Sequence, residues 1–252
     1  MSEEERELML LEAQRLIELG ALEYSEGHYT VSIDCYQRAL ELFQEHAFRK
    51  GEADALCGLG NLSQMTGEWS RVEAFYSRAL SIYREVGDQI GESNVLQYMG
   101  MVHRNLGRND RAIDLYTQAL LLYRDRGLRR DEGVVLGFLG TVYKFRGELQ
   151  AAAEHYIQAL AIHREVGNRH GEAQDLGNIA ITYQDMGQID RALECFRKAL
   201  SILRELGSKR AEGIHLGNLG LVYKELGQID RAIECFRRAR DIVSEIGVKP
   251  SV

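Results

Sequence analysis

The sequence predicts an all-α fold, a right-handed α-α superhelix (solenoid) of six helix pairs. Three observations carry that prediction. Glycine returns every forty residues, at Gly27, Gly67, Gly107, Gly147, Gly187 and Gly227. On either side of each of these glycines apolar residues recur at three- and four-residue steps, so each unit holds two amphipathic helices with a glycine break between them. An aromatic slot (Tyr36, Tyr76, Tyr116, Tyr156, Phe196, Phe236) is followed three residues later by a small one (Ala39, Ala79, Ala119, Ala159, Ala199, Ala239). One helix pair cannot bury its own apolar faces, and units of this length stack so that the core runs between neighbours.

Residues 213–239 show the unit most clearly. Leu216, Leu219, Tyr223 and Leu226 form one stripe, and Ile229, Ala232, Ile233, Phe236 and Ala239 form the other. Gly220 lies inside the first helix, where glycine costs about 1 kcal/mol relative to alanine. Its presence there, and that of Gly20, Gly60, Gly100 and Gly140 in the same slot, calls for the close approach of a second helix.

Taken in order, residues 3–26 read as one long first helix, with Ser2 as N-cap and Glu3, Glu4 and Glu5 favouring the positive end of the helix dipole. The repeats then run 13–52, 53–92, 93–132, 133–172, 173–212 and 213–246, and the whole chain, 1–252, reads as one domain. The first repeat departs most, with Glu23 where later copies hold Tyr143, Tyr183 and Tyr223, and Ser32 where they hold alanine. A terminal repeat has one face in water, which permits that decay. The second has Ser63 and Val72 in those slots, and its Trp69 opens a helix and packs between neighbours. The third and fourth carry the bulkier residues Tyr98, Met101 and Phe138. The fifth and sixth are near-copies, with Asp190 and Asp230 as N-caps of their second helices. In the last, Arg240 takes the slot of Leu40, Leu80, Leu120, Leu160 and Leu200, and reads as a solubility cap on an uncovered helix.

Leu216, Gly220, Tyr223, Gly227, Ala232, Phe236 and Ala239 stand at the offsets of the tetratricopeptide repeat (TPR) pattern, and the chain resembles a TPR array over residues 13–246. It departs at the proline that usually closes the second helix. That slot holds Gln44, Arg84, Arg124, Arg164, Arg204 and Ser244, so each second helix should run on to a glycine such as Gly87, Gly167 or Gly207. The long unit resembles the Pins/LGN type, the kinesin light chains and bacterial TPR arrays. The resemblance implies a non-enzymatic scaffold or adaptor that takes a peptide or helical segment of a partner protein into a concave groove. Two other readings stay open, a peptide-signal sensor domain of a bacterial regulator and a self-assembling structural solenoid. The carboxylate clamp of chaperone-binding TPR domains needs Lys and Asn at the slots of Ile17 and Ala21, Asn at Gly58, and Lys and Arg at Asn94 and Tyr98. None matches, so capture of a chaperone tail is not expected.

On the same resemblance the groove is lined by Asn61, Asn94, Gln97, Tyr98, Met101, Arg104, Phe138, Thr141, Lys144, Gln174, Asn178, Asn218 and Lys224. Amides donate to and accept from a peptide backbone, and similar asparagines in TPR proteins hold extended peptides. Tyr98, Met101 and Phe138 would take an apolar anchor, while Arg104, Lys144 and Lys224 would face carboxylates, so a partner with acidic character fits. Gly137, Gly177 and Gly217 fall on that face too. Either neighbouring first helices come close there, or the helix backbone is left open to a ligand.

Composition limits the alternatives. The chain has 31 basic against 38 acidic residues, net −7, which weighs against a general nucleic-acid binder. Of Cys35, Cys57, Cys195 and Cys235, three share one repeat slot, and a reducing, cytoplasmic compartment fits them. The start MSEEERELMLL lacks a basic n-region, and no apolar run approaches about 18 residues, so neither signal peptide nor membrane span is expected. The seven histidines occupy different repeat slots and read as a solvated set without metal spacing. GFLG, GNIA and GNLG fall inside predicted helices and form no phosphate loop. No catalytic constellation, cofactor or metal is expected, and the array reads as a monomer or a weak homo-oligomer through its ends.

Overall fold

The computed structural model describes residues 3–247, which form twelve α-helices and no strand among the described residues. They pair as α1 (Glu3–Glu26) with α2 (Tyr29–Glu45), α3 (Arg49–Met65) with α4 (Trp69–Val86), and α5 (Gln89–Asn105) with α6 (Asn109–Asp125). Three more pairs follow, α7 (Arg129–Phe145) with α8 (Leu149–Glu165), α9 (Arg169–Asp185) with α10 (Ile189–Glu205), and α11 (Lys209–Glu225) with α12 (Ile229–Gly247). The long first helix is as expected. Its Ser2 cap and the segment 248–252 lie outside the described residues.

The breaks between helices fall every twenty residues. Gly27, Gly67, Gly87, Gly107, Gly127, Gly147, Gly167, Gly187, Gly207 and Gly227 are left-handed, with φ between 65° and 85°. An L side chain avoids that region, so glycine terminates each helix, and the next backbone N–H bonds back into the last turn, as Asp88 does to the Tyr83 carbonyl at 2.9 Å. At the corresponding position after α2 the residue is Ala47, left-handed with φ 54°. The expected run of the second helices to Gly87, Gly167 and Gly207 follows from this turn. The N-cap expectation does not hold. Gln188 occupies the cap position of α10 without a side-chain cap, and Asp190 and Asp230 lie inside the first turns of α10 and α12. One residue after the left-handed glycine is enough to restart the helix, so the aspartates act on its dipole. Asp88 and Asn168 do cap, accepting from the backbone N–H of Gly91 and Gly171.

The glycines inside the first helices are explained by aromatic rings. A Cβ at Gly60 would come within 2.5 Å of the Tyr76 ring, at Gly100 within 2.6 Å of Tyr116, and at Gly140 and Gly220 within 2.8 Å of Tyr156 and Phe236. Each ring belongs to the second helix of the same repeat. Tyr36 reaches further, lying against Gly20 of its own repeat and Gly58 of the next. Ser32 stands in its alanine slot because its hydroxyl donates to the Gly20 carbonyl at 2.7 Å, which keeps it satisfied when buried.

The chain forms two compact units, the first running to Tyr123 and the second starting at Arg124. In the first, Tyr36 and Leu40 of α2 pack with Leu59 and Leu62 of α3. In the second, Tyr156 and Leu160 of α8 meet Leu176 and Ile179 of α9, and Leu193, Phe196 and Leu200 of α10 meet Leu216, Leu219 and Tyr223 of α11. Each cluster ties the second helix of one repeat to the first helix of the next.

The missing proline has a physical reason. Arg84 Nε donates to Glu92 at 2.7 Å, Arg124 to Glu132 at 2.8 Å, Arg164 to Glu172 at 2.8 Å and Arg204 to Glu212 at 2.7 Å, while Gln44 donates to Glu52 at 3.1 Å. The slot that proline usually fills is therefore a clamp from the second helix of one pair onto the first helix of the next pair. Burial pushes the Glu172 carboxyl up, but hydrogen bonds from Arg164 and Arg169 outweigh it and hold the group below its ordinary range.

Candidate functional site

In the first unit the inner slots converge on a cleft of ≈ 410 Å³, lined in part by Asp54, Cys57, Asn61, Tyr83, Asn94 and Tyr98. Three of the expected site residues, Asn61, Asn94 and Tyr98, thus share one concavity. Their amides are partly committed. The Tyr76 hydroxyl donates to the Asn61 carbonyl oxygen at 2.6 Å, and the Tyr123 hydroxyl shares its one proton between Asn94 at 2.8 Å and Gln97 at 3.2 Å. Those side chains keep their N–H groups for a ligand and have spent acceptor capacity on the scaffold. The Tyr98 ring stacks on Tyr76 with centroids 6.0 Å apart. Met101 and Arg104 are half-buried on α5.

Two groups in this cleft were not singled out in the sequence. The Tyr83 hydroxyl donates to Asp54 at 2.6 Å and lies 3.7 Å from the Cys57 sulfur, and Lys50 pairs with Asp88 at 2.8 Å on the rim. Burial raises the Asp54 carboxyl above its ordinary value, against the pull of Tyr83 and Lys50. The Cys57 thiol is pushed up to about 12 by burial, so it stays protonated and is no nucleophile. Asp54 shares its repeat slot with Asn94 and Gln174, and that polar recurrence was the available signal.

In the second unit Phe138, Thr141 and Lys144 lie on α7, Gln174 and Asn178 on α9, and Asn218 and Lys224 on α11. Thr141 is built into the scaffold, donating to the Gly137 carbonyl and accepting from Tyr156, each at 3.0 Å. Lys144 pairs with Asp185 at 3.3 Å, while Gln174 and Lys224 are exposed. Asn178 and Asn218 are half-buried on the touching helices α9 and α11. No side-chain hydrogen bond engages either amide among the described residues.

The glycines of this face divide between the two explanations. A Cβ at Gly177 would sit 2.1 Å from the His215 imidazole, so close approach decides that position. At Gly217 nothing lies within 4 Å and the helix backbone is open, and at Gly137 the only neighbour is an ordinary contact with Asp175.

The solvated-histidine expectation is overturned for three positions. His103 and His163 are buried, and His163 hydrogen-bonds the buried Asp175 at 2.7 Å, because their slots in the α4–α5 and α8–α9 packing are internal. Burial raises the Asp175 carboxyl, with His163 opposing. Burial also lowers His215, whose Nδ1 faces the Ala211 carbonyl at 2.9 Å. At the exposed α1–α2 turn, Glu23, Glu26 and His28 bring potential ligand atoms within 4.8 Å of one another, a grouping across the turn that spacing along one helix did not reveal. Among the described residues no helix is long and apolar enough to cross a membrane.

The family model described as tetratricopeptide repeat matches residues 11–85, 91–165, 131–205 and 172–245. Among solved structures, BtubC (BKLC) from P. vanneervenii is similar with a TM-score of 0.73 at 22% identity, over 98% of this chain and 94% of that one. A Rap protein complexed with competence and sporulation factor has a TM-score of 0.69 at 15% identity, over 93% of this chain and 76% of that one. A kinesin light chain-type protein with nearly identical TPR-like repeats, from Podosopora anserina, has a TM-score of 0.64 at 17% identity, over 77% of this chain and 96% of that one. No curated protein sequence matches. At these identities the likenesses establish the fold, an all-α superhelix of helix pairs. With four matches that together span most of its length, the chain belongs to the tetratricopeptide repeat family.

Proposed function

We propose that this chain is a non-enzymatic adaptor that holds an extended or helical segment of a partner protein on the inner face of its first helices. The repeat fold supports an interaction scaffold in general. The observation that carries the finer reading is the pair of unengaged, half-buried amides at Asn178 and Asn218, beside the open backbone at Gly217. Mid-helix asparagine and glycine both cost helix propensity, and two such amides on touching helices can bond a passing peptide backbone. Lys224 and Lys144 on the same face suit a segment with acidic character. In this reading the six repeats act as one array in a reducing cytoplasm, without nucleic acid, membrane insertion, cofactor or metal, as a monomer or a weak homo-oligomer.

A second reading, a sensor domain for a peptide signal in a bacterial regulator, is favoured by the likeness to the Rap protein complexed with competence and sporulation factor. The test is a pull-down from the native lysate followed by titration of what it captures. Each lost amide contact costs about 0.5–1.5 kcal/mol, so Asn178→Ala with Asn218→Ala should weaken binding roughly tenfold, and reversing the charge of Lys144 should weaken it further at low salt. Unchanged affinity in both variants would move binding off this face.

A further inference from the structure

The clusters at the α8–α9 and α10–α11 contacts are built from the same two halves. At the α10–α11 contact one half is Leu193, Phe196 and Leu200, and the other is Leu216, Leu219 and Tyr223, none more than 9% exposed. Forty residues beyond the first half, α12 carries Ile233, Phe236 and Arg240, and here the two apolar residues are 41% and 38% exposed. The second half recurs on α1 as Leu16, Leu19 and Glu23, with Leu22 in the slot of Val222, and Leu19 and Leu22 are 42% and 53% exposed. The last repeat thus presents one half of a repeat contact and the first repeat presents the other.

The substitutions at these two ends are complementary. Leu200 and Tyr223 share one core cluster and line one cleft. Their counterparts at the ends are Arg240 and Glu23, of opposite charge. Among the described residues the Arg240 guanidinium is engaged by its sequence neighbour Asp241, and the Glu23 carboxylate, its side chain 20% exposed, uses one oxygen on His28. A leucine at 240 and a tyrosine at 23 would bury equally well against many apolar faces, whereas an ion pair rewards one alignment and penalises others.

We propose that α12 of one molecule docks on α1 of a second copy, head to tail, with Arg240 paired to Glu23 across the contact. Arg240 then limits unspecific pairing and selects the correct partner end. Such a contact is heterologous: each molecule keeps one unused half at either end, so growth does not stop at a dimer by symmetry.

The test is sedimentation velocity on the purified full chain over a concentration series, with circular dichroism confirming that each variant is folded. The weight-average mass of the wild type should rise with concentration. Arg240→Glu alone and Glu23→Arg alone should each weaken assembly by roughly tenfold, and the two combined in one chain should restore it. Ile233→Asp and Leu22→Asp, at exposed positions, should each yield monomers, while an equimolar mixture of the two should form a one-to-one dimer through its remaining good ends. A two-fold contact through a single end would survive in one of those variants and overturn the proposal. A wild type that stays monomeric, or a charge swap that restores nothing, would overturn it too and leave both faces to flanking repeats or another protein.

Discussion

Ala47 offers the cleanest energetic test of how the array is built. It is left-handed, with φ 54°, at the turn after α2, where ten other turns of the chain use glycine. An alanine in that conformation costs about 1–2 kcal/mol, while glycine costs about 0.4–1 kcal/mol in extra unfolded-state freedom. Ala47 is exposed, so its methyl contributes no packing that glycine would lose. Ala47→Gly should therefore stabilise the first unit by about 0.5–1 kcal/mol, or about 2 °C in melting temperature for a chain of this size. The mirror experiment is Gly87→Ala, where a Cβ would meet nothing within 4 Å and only the backbone changes. It should destabilise by the same amount. Guanidinium denaturation followed by far-UV circular dichroism, with hydrogen exchange to localise the change to α2 and α3, measures both. If Ala47→Gly were neutral or destabilising, the left-handed turn would not be what ends these helices, and the argument from the glycines would fail.

Three other outcomes follow from the packing and the charges. Arg164→Met leaves the buried Glu172 with Arg169 as its remaining clamp and should cost about 1–2 kcal/mol in a denaturation series, whereas Arg197→Met, at an exposed position, should cost nothing measurable. Gly177→Ala forces its methyl against the His215 imidazole and should destabilise by about 1–3 kcal/mol, while Gly217→Ala should stabilise by about 1 kcal/mol of helix propensity; equal effects at the two sites would refute the division between them. Stability should fall as pH drops from neutral to about 5.5, because burial holds His103 and His215 below the ordinary histidine range, so the unfolded chain binds protons that the native one refuses. His215→Phe should flatten part of that slope, and a profile level across the range would contradict it.

The helix pairs were legible in the sequence because their causes are local and repeated six times. A left-handed turn needs glycine, and a ring pressed on a helix backbone needs glycine beneath it, so both leave a forty-residue trace. What was illegible depends on reach between helices. Arg84, Arg124, Arg164 and Arg204 looked like the loss of a proline, since the glutamate that each of them engages lies eight residues on, across the turn on the next helix. Asn61, Asn94 and Gln97 looked like free groove amides because the tyrosine hydroxyls that engage them sit 15 to 29 residues away, on the second helices. His163 looked solvent-facing for a similar reason, its carboxylate partner Asp175 lying on the following helix. Asn178 and Asn218, by contrast, are reached by no tyrosine hydroxyl among the described residues.

The arginine clamps also bear on how such a gene changes length. Arg164–Glu172 and Arg204–Glu212 have the same spacing and nearly the same geometry, and repeats five and six share the runs GQIDRA and ECFR. A recombination slipped by one repeat would place side by side two surfaces already cut to fit, with the salt bridge, the ring and the turn all in phase. Copy number can therefore vary by whole units without any compensating substitution, and evolution can lengthen or shorten the array in steps of one helix pair while the chemistry of each step stays fixed.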